Sequence, residues 1–111
     1  MTTFDEREKG FERKFAHDEE LRFKATVRRD RLIGLWAAEK LGLSGDEAEA
    51  YARSIIKADF EQPGDEDVLR KLRVDLMAKG IDVSDKELAR VLIEKLAEAV
   101  RQIESDAGRA S

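Results

Sequence analysis

The chain has 111 residues, a formal net charge of −4 and a pI near 5.2, a length that suits one compact domain with a modest core. Charged residues supply 41% of it and apolar residues another 41%, with one Pro, no Cys and no Asn; this excludes disulfides, thiolate metal sites and a cysteine nucleophile, and it favours helix. The acidic balance argues against a nucleic-acid partner, which needs a positive field. Met1–Gly10 lacks the apolar core of a signal peptide and no apolar run approaches the roughly 20 residues that span a bilayer, so a soluble, cytoplasmic protein is expected.

Residues 1–20 differ from the rest. They hold Phe4, Phe11 and Phe15 but no Leu, Ile or Val before the helices begin, and most other positions are charged. The phenylalanines are separated by seven and then four positions, which places them on one face of a helix, and Asp5 and Lys9 can pair across one turn. Three rings stabilise an isolated helix of this length poorly, and Gly10 weakens it further, by about 1 kcal/mol relative to Ala. The pattern predicts an arm that turns helical in a partner's groove, its rings serving as anchors. The competing reading is an extra packed helix or a solvated tail.

Four helices are predicted after Phe23, with residues 21–105 as the bundle and 106–111 as a frayed tail. The first runs from about Asp18 to Lys40. Its stretch Leu32-Ile33-Gly34-Leu35-Trp36-Ala37-Ala38 is apolar all round, as in a central core helix, and Gly42 suits the left-handed residue past its end. The second opens on the capping box Ser44-Gly45-Asp46-Glu47, carries a stripe of Ala48, Tyr51, Ala52, Ile55, Ile56 and Phe60, and stops at Pro63-Gly64. The third starts near Asp65, turns Val68, Leu69, Leu72, Leu76 and Met77 inward, and offers Glu66–Arg70 and Asp67–Lys71 pairs on its outer face; Gly80 ends it with Ile81 folding back on Leu76. The fourth begins at a second capping box, Ser84-Asp85-Lys86-Glu87, with Val83 and Leu88 as a hydrophobic staple and Leu88, Val91, Leu92, Leu96, Ala99 and Ile103 as its stripe. No segment alternates with period two, so the fold class is all-α, a four-helix bundle with a conditionally helical N-terminal arm.

Catalytic chemistry is hard to place on these residues. No phosphate loop of the Gly-x-x-x-x-Gly-Lys-Ser/Thr type occurs. His17, the only histidine, stands in His17-Asp18-Glu19-Glu20, whose acids point to different sides of a helix and read as a helix start rather than a metal site. Asp59, between Ile56 and Phe60, is the best candidate for a half-buried acid, and a paired structural carboxylate is its plainest role. Arg28-Arg29-Asp30-Arg31 is the one basic patch. With Trp36 two turns on, Arg28 and Arg29 offer phosphate and base contacts to a nucleotide; the alternative is a solvated face, or charges paired with acidic neighbours. Neither an enzyme nor a cofactor or metal site is expected.

Several runs carry a family likeness: Phe4-Asp5-Glu6-Arg7-Glu8-Lys9, Phe11-Glu12, Lys14-Phe15-Ala16-His17-Asp18-Glu19-Glu20, Phe23-Lys24, Arg28-Arg29, Gly34-Leu35-Trp36-Ala37-Ala38, Glu49-Ala50-Tyr51-Ala52, Ala58-Asp59-Phe60-Glu61 and Gly64-Asp65-Glu66-Asp67-Val68. Through them the chain resembles the zeta subunit of alphaproteobacterial F-type ATP synthases, over nearly its whole length. The resemblance implies a four-helix bundle whose N-terminal arm enters the interface of catalytic and non-catalytic subunits beside the central stalk and blocks the hydrolytic direction of rotation. It assigns Phe4, Phe11 and Phe15 as apolar anchors and Arg7, Lys9, Arg13 and Lys14 as partners of acidic groups on the head. It also implies peripheral association with the membrane-bound synthase. The family commonly has Asn where this chain has Asp30 and Ala where it has Val27. Readings from other classes are a small nucleotide-sensing module built on Arg28, Arg29 and Trp36, and a helical adaptor.

Overall fold

The computed structural model describes residues 18–62 and 64–110, with side chains through Asp106. Four helices follow one another: α1 (Glu19–Lys40), α2 (Gly45–Glu61), α3 (Glu66–Ala78) and α4 (Asp85–Ala110). No strand occurs among the described residues, so the fold is the expected all-α four-helix arrangement. The last helix continues to Ala110, past the Ser105 at which fraying was expected.

Local chemistry sets the ends. Asp18 caps α1, its carboxylate accepting from the Leu21 amide at 3.1 Å. Past the end of α1, Gly42 (φ +80°) lets the Leu43 amide reach back to the Ala38 carbonyl and its own amide to Glu39. Gly80 (φ +75°) closes α3 the same way, with Ile81 donating to Leu76 and Gly80 to Met77 at 2.9 Å each. The two expected capping boxes part company. At α4 the Glu87 amide donates to Ser84 Oγ at 3.0 Å, whereas Ser44 occupies the cap position of α2 without a side-chain bond to the helix. Asp65 likewise precedes α3 without capping it, because its carboxylate is taken by Arg29.

Helix α1 is central: it packs mainly on α2 and α4 and also touches α3. Its apolar second half fits this role, with Ile33, Gly34, Ala37 and Ala38 fully covered. The main core joins Ile33 and Ala37 to Ile55, Val68, Leu72, Leu76, Val83, Leu88, Val91 and Leu92. A smaller cluster of Ala25, Val100 and Ile103, with Leu21 against it, lies between the first half of α1 and the end of α4. Three stripe residues depart from expectation. Phe60, Met77 and Leu96 are exposed, while Val100, outside the expected stripe, is buried. The outer-face pairs of α3 also differ: Arg70 turns to Asp67, and Lys71 turns to Asp75, where its ammonium also meets the Tyr51 ring.

Candidate functional site

Along α1, the two apolar clusters are separated by Arg29 and Asp30, the buried charged residues of the described chain. Both continue the inward face: Ala25, Arg29, Ile33 and Ala37 recur every four residues, and all are covered. A buried guanidinium needs several acceptors, and Arg29 has them. Its Nε donates to Asp30 Oδ1 at 3.1 Å, and its Nη2 lies 3.0 Å from the same oxygen, 3.1 Å from Asp65 Oδ1 and 3.4 Å from Asp59 Oδ2. Burial works against the Arg29 cation, but the charges of Asp30 and Asp65 outweigh it and hold the group above its ordinary value. Asp59 reaches the cluster from the last turn of α2 and Asp65 from just before α3, so one side chain of α1 ties down the whole α2–α3 connection. Asp59 is thus the paired structural carboxylate its position suggested.

Asp30 is fully enclosed. Its Oδ1 carries both bonds from Arg29, and its Oδ2 is buried with no hydrogen-bond donor. Burial first, and then the neighbouring Asp59, push its carboxyl up to about 8 against the opposing pull of Arg29. A second polar contact joins α2 to α3: the Tyr51 hydroxyl donates to Asp75 Oδ2 at 2.8 Å, and Lys71 donates to the same oxygen at 3.0 Å with its ammonium 5.5 Å from the ring centre. Burial, followed by that bond to Asp75, pushes the Tyr51 phenol up.

The residues expected to contact nucleotide do not meet at one place. Arg29 is committed to three carboxylates. Arg28 bonds Asp106 of α4 at 3.0 Å, and Trp36 packs on the main core with the Lys40 ammonium 4.9 Å from its ring centre. An open groove of about 780 Å³ between α1 and α4 takes in Leu21, Phe23, Val27, Arg28, Arg31 and Ile103, but neither Arg29 nor Trp36. The basic patch is therefore largely paired, since Arg31 also bonds Glu49 at 2.7 Å. Its one missed feature was depth: the four-residue spacing from Ala25 to Ala37 held that signal. Phe23, half-exposed, stacks on Phe60 at 5.4 Å. Phe4, Arg7, Lys9, Phe11, Arg13, Lys14 and Phe15 lie outside the described residues. Among the described residues, no cluster of His, Cys, Asp or Glu is arranged to hold a metal ion, and no helix is long and apolar enough to cross a membrane.

Four helices, one of them central and tied to the others by ion pairs, with an open groove between the first and the last, make a small all-α module. The profile of the family described as ATPase inhibitor subunit zeta matches residues 1–102. The chain belongs to that family of regulatory inhibitor subunits. Among solved structures, one determined by solution NMR is 45% identical, with a TM-score of 0.69, over 78% of this chain and 98% of that one. No curated protein matches the sequence.

Proposed function

We propose that the chain inhibits ATP hydrolysis by an F-type ATP synthase, and that it does so by inserting its N-terminal arm into the catalytic head. The observation that carries this reading is the reach of the family match: it begins at residue 1 and so takes in the Phe4, Phe11 and Phe15 face as well as the bundle. Three rings on one helical face, flanked by Arg7, Lys9, Arg13 and Lys14, suit a groove between subunits that offers apolar pockets and acidic rims. The bundle acts as the carrier, holding the arm at the start of α1 and limiting its entry. Attachment to the membrane-bound synthase then runs through the head.

The test is ATP hydrolysis by the purified catalytic head of an alphaproteobacterial synthase, with the full chain and with a chain lacking residues 1–17. The cut is placed before Asp18 because Asp18 caps α1 and Leu21 packs on the smaller cluster. Inhibition by the full chain alone supports the arm as inhibitor. Equal inhibition by the shortened chain overturns the arm's role, and no inhibition by either overturns the reading as a whole.

A further inference from the structure

We infer that Asp30 and Asp59 form a proton-binding site in which a single proton, shared between two buried carboxyls, clamps α1 to the α2–α3 connection. One guanidinium faces three carboxylates here. Two of the three acids, Asp30 and Asp59, are nearly or wholly shut off from water, while the Asp65 side chain is 54% exposed and keeps its hydration. Fully ionised, the cluster would hold two uncompensated negative charges, one of them on Asp30 with no water around it. The hydrogen bonding places the missing proton. Arg29 spends both its contacts on Oδ1 of Asp30 and leaves Oδ2 without a donor. Asp30 Oδ1 and Asp59 Oδ2 lie on the same Arg29 nitrogen, Nη2, at 3.0 and 3.4 Å, so the two carboxyls are neighbours, and two ionised carboxylates have nothing to donate to each other. A proton between them supplies the missing donor, satisfies Oδ2 and removes one charge.

The surrounding charges do not substitute for it. On α1, Arg28 and Arg31 are drawn to Asp106 and Glu49. Helix α2 presents Asp59, and the start of α3 presents Asp65, both to Arg29. From α4, Asp106 goes to Arg28; Arg29 and Asp59 are the charged groups acting on Asp30. The elevated Asp30 carboxyl, about 8, agrees with a proton retained at neutral pH and released in mild alkali. Its release puts like charges on α1 and on the last turn of α2, and so loosens the corner that Arg29 gathers. This inference does not depend on the inhibitory reading.

The full chain, with 13C in its aspartate carboxyls and 15N in its amides, is titrated by NMR from pH 5 to 9.5. The expected result is an Asp30 carboxyl midpoint near 8, with amide shifts at Glu61, Gln62 and Gly64–Glu66 following the same midpoint. Asp59→Asn should lower the Asp30 midpoint by about one unit or more, since a neutral amide can donate to an ionised carboxylate. An Asp30 midpoint in the ordinary carboxylate range overturns the site, and a midpoint unmoved by Asp59→Asn overturns the sharing. Corner amides that ignore the titration overturn the clamp, and this readout on the unmodified chain decides the matter if the variant fails to fold.

Discussion

Gly34 on α1 lies so close to Ala52 on α2 that a β-carbon added to it would stand 2.7 Å from the Ala52 Cα and 3.1 Å from its Cβ. The nearest atom is backbone, so no side-chain rotation relieves the clash. The two helices must separate, and Ile33 and Ile55, both fully buried, would lose contact with them. Gly34→Ala improves helix propensity by about 1 kcal/mol but should still destabilise the protein by roughly 1–3 kcal/mol, the usual cost of overpacking. Urea unfolding followed by far-UV circular dichroism measures this. An unchanged or raised midpoint would show that the helices are not held at this distance.

Arg29 is the next position where a single side chain holds several elements. Arg29→Met keeps much of the apolar stem but strips Asp30, Asp59 and Asp65 of their shared cation. Removing one member of a buried ion cluster costs about 3–5 kcal/mol, a large share of the stability of a domain this size. The double variant Arg29→Met with Asp59→Asn should recover part of that loss, because it removes one of the stranded charges. Equilibrium unfolding of the two variants checks both statements; a loss below about 1 kcal/mol would mean the carboxylates are solvated without Arg29.

The pH dependence of stability follows from Asp30. Its carboxyl is raised in the folded protein to about 8 from an ordinary 3.8, so between those values the native state holds a proton that the unfolded chain has released. Unfolding then releases a proton, and raising the pH favours unfolding. The contribution is complete below about 4 and is lost as pH rises through about 8, with a limiting slope near 1.4 kcal/mol per pH unit. Asp30→Asn, neutral at every pH, should flatten this dependence and leave the variant more stable than the parent at pH 9. Urea midpoints at pH 5, 7 and 9 compare the two; parallel curves would remove Asp30 as the cause.

Much of this architecture was legible because its signals are local. Gly42 and Gly80 close their helices by backbone bonds that need only a left-handed residue at the right place, and Val83 and Leu88 form a staple visible in the sequence. What escaped were decisions made across helices. Arg29 and Asp30 sit in a run of charges that reads as a wet surface, and only the acids brought by α2 and α3 make their burial tolerable. Ser44 and Asp65 have the right chemistry for caps, yet Asp65 is claimed by a distant arginine. Phe60 belongs to the α2 stripe by spacing but lies beyond the edge of the core, where its neighbour is the exposed ring of Phe23.

The unequal serines give a direct comparison. Ser84 accepts from the Glu87 amide, so Ser84→Ala should cost about 1 kcal/mol, the usual value of an N-cap. Ser44 makes no such bond, so Ser44→Ala should change stability by a few tenths of a kcal/mol at most. Thermal unfolding of both variants under one condition separates them. Equal losses would show that Ser44 caps α2 in solution.

The arm's rings should set inhibitory strength without touching the fold. If Phe4, Phe11 and Phe15 are anchors in a groove of the catalytic head, truncating one forfeits roughly 1.5–3 kcal/mol of burial, which is about a 10- to 150-fold rise in the concentration giving half-inhibition. Phe11, with a ring on either side of it in the sequence, should be the most sensitive because central anchors are the most completely desolvated. The bundle's unfolding midpoint should not move, since α1 begins at Glu19 with its own cap. Hydrolysis assays on the catalytic head with Phe4→Ala, Phe11→Ala and Phe15→Ala, run beside urea unfolding of the same proteins, keep the two effects apart. Unchanged half-inhibition in all three variants would move the inhibitory contact from the rings to the charges between them or to the bundle. Arg13→Ala and Lys14→Ala against Arg28→Ala would then tell those two apart.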